Sequence, residues 1–458
     1  MEYEVIQSRL MKLVNDNKKN ELRGALLMLN VVDIAQFMEE LSSDKLLMVF
    51  RILPKDIAAD VFAYMDSDQQ QQLITLIGDT EIHNLMEEMF IDDAVDFLEE
   101  LPASVVKRVL QTTDSNTRNL INQFLNYPEN SAGSIMTIEF AELPGNLTVR
   151  QAMDTIRRTG LDKETIYTCY VIDESRHLIG TVALRHLILA EDDVLVRDIM
   201  DTNIISAKTL DDQEFVADTV RKYDLMSLPV VDNEARLVGI ITADDVMDVI
   251  EEENTEDIEK MGGLLPSDDE YLKTPLVTLF KNRIPWLLIL MISATFTGMI
   301  ITHFEGMLSE VGKLGVLLTA CLPMLMDTGG NCGAQSSTLV IRSLALGQID
   351  FGDILKVWWR EVRVALMVGA TLMVVNVGRQ LLLYQLTAGV TADTLRVTMV
   401  VSAAMFLTVI IAKSIGCTLP LLAKKLKLDP ALMASPIITT LVDACSLTIL
   451  FTIATKFL

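Results

Sequence analysis

"PMLMDTGGNCGAQSSTLV", residues 323–340, places an acid (Asp327), three glycines (Gly329, Gly330, Gly333), Asn331 and Gln335 inside an otherwise apolar run. Hydrocarbon offers no hydrogen-bond partner, and a carboxylate near the bilayer centre costs at least ~2.5 kcal/mol. Such a stretch is either a seam of tight packing or one wall of a polar path, and its surroundings decide which. Five apolar segments, at about 284–304, 314–341, 362–386, 395–423 and 431–457, approach or exceed the ~20 residues that span hydrocarbon. Lys273, Lys281 and Arg283 precede the first segment. Arg342, Lys356, Arg360 and Arg363 flank the second connection, and Lys424, Lys425 and Lys427 mark the fourth. The remaining connections and the C-terminus carry only Lys313, Arg396 and Lys456. The basic loops thus share one side, which predicts a cytoplasmic N-terminus and an external C-terminus.

The midpoints of the second and fifth segments put Asp327, Asn331 and Asp443 near the bilayer centre. "ASPIITTLVDAC" (434–445) surrounds Asp443 with Pro436 and the hydroxyls of Thr439 and Thr440. Glycines permit unwinding, which would free carbonyls to line a cavity. Helix packing through small residues is the plainer alternative for them, and a protonated core acid is the alternative for Asp327. Carboxylate, amide and carbonyl oxygens suit hard cations, and magnesium, which sheds water reluctantly, is commonly held through few carboxylates. One acid per chain at a two-fold axis would form a cation-selecting ring. Ligand type alone leaves magnesium, calcium and manganese open.

The chain's net charge of −25 conceals two opposite halves. Residues 281–458 hold 9 acids and 14 bases, so residues 1–280 hold the remaining 54 acids and 24 bases, a net of −30. An acidic soluble portion argues against nucleic acid and favours cations as partners. The five cysteines show no paired spacing, which predicts neither a disulfide framework nor a zinc site. The N-terminus lacks the basic start and apolar core of a signal peptide, so the soluble part is expected in the cytoplasm. Neither a nucleophile–base pairing nor a phosphate loop is legible and the four histidines are scattered, so an enzyme is not expected.

Two repeats organise the soluble part. Leu41, Leu53, Met65, Ile77, Met89 and Leu101 recur every twelve residues, enough for one short helix and its turn, which predicts stacked helices in a superhelix. Further on, "GSIMTIEFAELPGNLTVRQAMDTIRR" (133–158) is answered by "RDIMDTNIISAKTLDDQEFVADTVRK" (197–222). Likewise "YVIDESRHLIGTVALRHLI" (170–188) is answered by "PVVDNEARLVGIITADDVM" (229–247). Each copy reads strand, amphipathic helix, two strands around an Asp-rich turn, then helix. These residues resemble a tandem pair of CBS domains, in which a "GxxTxxD" pattern meets nucleotide ribose. Gly239, Thr242 and Asp245 fit it in the second copy, whereas the first has Ala183 and His186. Then Glu251, Glu252, Glu253, Glu256, Asp257 and Glu259 crowd one helix leading to the membrane. Like charges at this spacing weaken a helix by a few tenths of a kcal/mol per pair, which makes sense if a cation neutralises them.

"PMLMDTGGNCGAQSSTLVIRSLALG" and "LDPALMASPIITTLVDACSL" closely resemble the membrane signatures of the MgtE magnesium channel/transporter family, and the resemblance extends over nearly the whole chain. It implies a multidomain protein in five parts. These are a cytoplasmic superhelical α-helical N-domain (1–130), CBS domain 1 (131–199), CBS domain 2 (200–253), an acidic connecting plug helix (254–280) and an all-α pore domain of five transmembrane helices (281–458). The resemblance further implies a homodimer in the cell membrane with its pore between two copies. Asp443 would be the central carboxylate, beside Gly329, Gly330, Asn331, Thr439 and Thr440. Magnesium sensing by the cytoplasmic part would fall to Asp92, Asp96, Asp212, Glu214, Asp224, Asp245, Asp248, Glu253, Glu256 and Asp257. ATP at the CBS pair would meet Tyr170, Arg185 and Thr242, and the departure at His186 leaves that modulation open. The expected function is passive Mg2+ entry closed by cytoplasmic Mg2+. The rival is an ion-coupled transporter of Mg, Mn or Co regulated by nucleotide.

Overall fold

The structure, a computed structural model, describes residues 2–99, 101–267, 271–272, 274–306, 312–387, 389–433 and 435–458. It divides into two compact units, 1–250 and 251–458. In the first unit, ten short helices run from α1 (Glu2–Asn15) to α10 (Ser115–Phe124). From α4 (Ser43–Ile52) onward one helix begins every twelve residues or so, as the repeat predicts. Leu41, Leu53, Met65, Ile77 and Leu101 are buried at the turns between these helices. Each short helix is marginal alone, so its stability comes from stacking on neighbours. Phe62 of the helix Lys55–Ala63 meets Phe50 of the preceding helix and Phe97 of the helix Ile91–Glu99 edge to face.

The second repeat folds as two copies of one small sheet. Copy one holds β1 (Phe140–Pro144), α11 (Val149–Thr159), β2 (Thr165–Ile172), β3 (Leu178–Ala183) and α12 (Leu184–Leu189), followed by a short α13 (Val196–Ile199). Copy two holds β4 (Ala207–Lys208), α14 (Gln213–Tyr223), β5 (Ser227–Val231), β6 (Leu237–Thr242) and α15 (Ala243–Gly262). In each copy the first strand is parallel to the second and the second antiparallel to the third. The Asp-rich turns match in detail: Asp173 accepts from the Ser175 and His177 amides, and Asp232 from those of Glu234 and Arg236.

The copies are locked by exchange. The segment before copy one pairs with the edge of copy two, where Thr137 and Ile240 trade amide bonds of 2.8 and 2.9 Å. The segment before copy two pairs with copy one, where Asp201 and Thr181 do the same at 2.8 and 2.9 Å. Glycine is required at both crossings, because a Cβ on Gly239 would stand 2.8 Å from the Thr137 carbonyl and one on Gly180 3.1 Å from that of Asp201.

In the second unit, α15 ends at Gly262, and Gly263 turns the chain with φ +72° against the Trp286 ring. The acidic run therefore continues the helix that opens at Ala243, and the expected boundary at 253/254 falls inside it. Lys273 lies outside the described residues. Long helices follow: α16 (Leu276–His303), α17 (Lys313–Ala345), α18 (Ile354–Thr387), α19 (Ala392–Lys425) and α20 (Ser435–Phe457). Four stretches, at α16, α18, α19 and α20, are long and apolar enough to cross a membrane. The 33-residue α17 has the length but carries the polar stretch. Trp358 and Trp359 lie near the start of α18. Leu318, Leu322 and Leu325 of α17 pack with Val397, Val401 and Met405 of α19 and Leu447, Leu450 and Phe451 of α20. α16 joins through a stack of Phe304 on Phe451 and buries none of its residues within the chain.

Valine at Gly239 should cost about 1–3 kcal/mol by overpacking against backbone, lowering the thermal midpoint by several degrees. Alanine at Gly24, whose surroundings are open within α2 (Lys19–Leu26), should instead stabilise by up to about 1 kcal/mol. Thermal unfolding of the two variants beside the parent checks both signs.

Candidate cation path and acidic sensor

Helix α17 stays regular through Asp327–Gly333. The expected unwinding does not occur, because in hydrocarbon each amide and carbonyl must be satisfied within its own segment. The glycines serve contact instead. A Cβ on Gly329 would lie 2.7 Å from Thr408 and 2.9 Å from Val442, and one on Gly333 2.7 Å from Ile438. One on Gly330 would meet Thr439 at 3.0 Å. On Gly416 a Cβ would collide with the Gly333 carbonyl, so α17 and α19 meet backbone to backbone. Gly329 and Gly330 are buried, so they seat α20 and present no open surface to an ion.

The polar face is elsewhere on α17. Asp327, Asn331, Gln335 and Thr338 are exposed at helical spacing, a stripe of oxygen donors along one side. The Asn331 amide donates to Asp327 Oδ1 at 3.2 Å. On α20, Pro436 occupies the first turn, where its missing N–H is harmless. Its carbonyl accepts from the Thr439 and Thr440 hydroxyls. One turn on, the half-buried Asp443 stands close enough to Asp327 for the two charges to interact. Asp327 thus accepts from Asn331 and lies near the like-charged Asp443. Gln335, one of the polar residues of the stretch, was not among the residues expected to line the path, although its four-residue spacing from Asn331 carried the signal.

The soluble acids gather at one place in the first unit. Asp92 and Asp93 open α8 (Ile91–Glu99), and Asp244 and Asp245 open α15. Asp92 Oδ1 is buried with no hydrogen-bond partner. Burial, reinforced by Asp93 and Asp245, pushes Asp92 well above the carboxylate range. Burial and the charge of Asp245 raise Asp93 to about 6 and Glu164 to about 7. Burial likewise raises Asp245, although the Thr242 hydroxyl donates to it at 2.5 Å. Asp248 adds its charge nearby. Asp93, Glu164 and Asp244 were not expected; the tertiary fold brings the Asp92–Asp93 pair, the Asp244–Asp245 pair and Glu164 to one place. Asp96 is exposed on the same helix as Asp92.

Asp212, Glu214 and Asp224 do not converge. Asp212 caps the start of α14 and accepts from the Glu214 amide, whereas Asp224 ends it with φ +51°. Eleven helical residues separate these ends by about 16 Å. Within the second unit, Glu253, Glu256 and Asp257 follow one another along α15. Lys260 bridges Glu256 at 2.5 Å and Asp429 at 2.7 Å. Burial and the nearby Asp429 lift Asp257 to about 6. Among the described residues no three acidic, histidine or cysteine side chains stand in ligating geometry.

The expected nucleotide contacts divide. Tyr170 is fully buried with its hydroxyl 2.6 Å from Ser227 Oγ, so it is a wall residue. Thr242 is buried and spends its hydroxyl on Asp245. Arg185 lies exposed in the first turn of α12.

A helical bundle with an oxygen-lined stripe at depth, preceded by a CBS pair, defines a membrane transport protein and not an enzyme. The family profile described as a divalent cation transporter, MgtE, matches residues 322–453. The MgtE intracellular N domain matches 29–130, and CBS domains match 132–193 and 196–252. The chain is 34% identical over 455 residues to the magnesium transporter MgtE of Thermus thermophilus, with 97% of each chain covered. It is 32% identical over 458 residues to that of Bacillus subtilis, covering 100% of this chain and 98% of the relative. The chain belongs to the MgtE family of magnesium transporters. Among solved structures, the soluble part of a magnesium transporter is similar at 34% identity and TM-score 0.53, covering 55% of this chain and 99% of that one. The cytosolic domain of the Mg2+ channel MgtE in complex with ATP is similar at 33% identity and TM-score 0.51, covering 53% of this chain and 99% of that one.

The raised carboxylates make stability depend on pH. Their folded forms hold protons more tightly than the unfolded chain, so the stabilisation is complete below the ordinary carboxylate range and is lost as pH rises through about 6–7. In chelator, the thermal midpoint of the soluble unfolding step should fall between pH 5 and pH 8, and Mg2+ should restore it at pH 8. Asp93→Asn with Glu164→Gln should flatten the profile; an unchanged slope in that variant would refute the assignment.

Proposed function

We propose that the chain is a magnesium-selective channel that lets Mg2+ move down its electrochemical gradient into the cytoplasm and that closes when Mg2+ gathers on its acidic soluble domains. The observation that carries this reading is the facing of Asp443 on α20 and Asp327 on α17, beside the exposed stripe through Asn331. Two carboxylates and an amide supply hard oxygen donors without enough ligands to strip a hydrated ion, which suits magnesium. An exposed polar stripe is untenable against lipid. A second copy of the chain, closing around it as a homodimer, would give it water and a partner. The basic loops support a multi-pass arrangement in the cell membrane with the N-terminus in the cytoplasm and the C-terminus outside.

Closure follows from charge. The cluster of Asp92, Asp93, Glu164, Asp244 and Asp245 repels itself, and a divalent ion would relieve that repulsion and draw the acidic elements together. Asp248, Glu253, Glu256 and Asp257 extend the acidic surface along α15 toward the membrane part. Asp96, Asp212, Glu214 and Asp224 add exposed acids that further ions could bridge. ATP at the CBS pair, by analogy with the similar cytosolic domain solved with it, would tune this response and meet Arg185.

Magnesium flux into liposomes tests the path. Asp443→Ala should reduce uptake to that of empty vesicles, and retained, selective uptake would remove the central carboxylate from the mechanism. Limited proteolysis tests closure. Cleavage within residues 200–280 should be fast in chelator and slow in Mg2+, and equal rates would overturn gating by the ion.

A further inference from the structure

A second buried polar group lies toward the basic end of the helical bundle, away from Asp443. Lys413 of α19 is 4% exposed and Ser336 of α17 is fully buried. The Ser336 hydroxyl donates to Glu361 Oε2 of α18 at 2.6 Å and accepts from Lys413 Nζ at 3.1 Å. Lys413 and Glu361 face each other at 3.6 Å. Three helices therefore meet at one compact, charge-balanced triad. Glu361 stands between Arg360 and Arg363 near the start of α18, whereas Ser336 and Lys413 lie about 9 and 16 Å along their helices from Arg342 and Lys424.

The triad sits where α17 is held most tightly. Gly333, one turn before Ser336, touches Gly416, one turn after Lys413, backbone to backbone. Sliding α17 by one residue moves Ser336 about 1.5 Å, and rotating it by one residue turns the side chain about 100° away. Either movement would separate a buried ion pair from its bridging hydroxyl in a medium without replacement partners. Gln335, next in sequence to Ser336, belongs to the exposed stripe with Asp327 and Asn331. The same rigid helix therefore carries the triad on one side and the stripe on another.

We propose that Glu361 and Lys413, bridged by Ser336, are positioning residues for cation passage. They set the rotation and depth of α17, and so hold Asp327 and Asn331 at the level of Asp443. The proposal rests on the reading that α17 and α20 line the path.

The test is Mg2+ flux by the full chain in liposomes, measured across Mg2+ concentrations. The double variant Glu361→Gln with Lys413→Met removes the pair without stranding a charge. It should raise the half-saturating Mg2+ concentration at least about threefold, a change that lost folding alone would not produce, since that lowers only maximal flux. The exchanged pair, Glu361→Lys with Lys413→Glu, should return half-saturation to within about twofold of the parent. Should the double variant aggregate in detergent, Ser336→Ala keeps both charges and should shift half-saturation in the same direction. Parental half-saturation in both the double variant and Ser336→Ala would overturn the proposal. Asp443→Ala separates the two readings. If it transports normally the path itself is misplaced, and if it is silent while the triad variants are parental, only the positioning role fails.

Discussion

The backbone contact between α17 and α19 at Gly333 and Gly416 is the constraint on which the membrane half depends. Lipid tails supply no hydrophobic force between helices, so association there rests on close packing and buried polar bonds. Removing two Cβ atoms lets the helices approach far enough for Ser336 to reach both Glu361 and Lys413. The same approach brings Gly329 and Gly330 against α20, leaving Asp443 beside Asp327. Glycine in a helix costs up to about 1 kcal/mol each, and here the cost is offset by packing that no larger residue allows.

The two halves treat charge in opposite ways. In the membrane part, Glu361 is matched by Lys413, and Asp327 accepts a hydrogen bond from the neutral Asn331 amide. In the soluble part, acids are brought to one place without basic partners, and Asp92 even buries an oxygen that nothing bonds. Such a cluster is a stored repulsion that protons or divalent ions relieve. Lys260, set between Glu256 and Asp429, shows what a cation does at this kind of surface: it ties the end of α15 to the loop ahead of α20.

The CBS copies show how a sequence repeat becomes an interlocked pair. Thr137 pairs with copy two and Asp201 with copy one, so each copy's edge strand is completed by the segment that introduces its sibling. The repeat of Met136 in Met200, and of Gly180 in Gly239, is the trace of this exchange, since each methionine sulfur lies over the opposite copy's glycine. That trace was visible as an internal match, but its meaning was not, because a repeat reports similarity and not which copy touches which.

By itself the sequence determined whatever depends on local period and composition. The twelve-residue helical repeat, the strand–helix order of the CBS copies and the long apolar helices all follow from spacing along the chain. Only the tertiary structure decided how those elements face one another. It kept "DTGGNCG" helical, turned Gly329 and Gly330 toward α20, placed Glu164 and Asp245 beside Asp92 and Asp93, and separated Asp212 from Asp224 by the length of a helix. It joined Ser336 to residues 25 and 77 positions away. The physical reason is that such meetings depend on the rotation and register of whole helices. A single residue's slip changes both without altering any local pattern that the sequence displays.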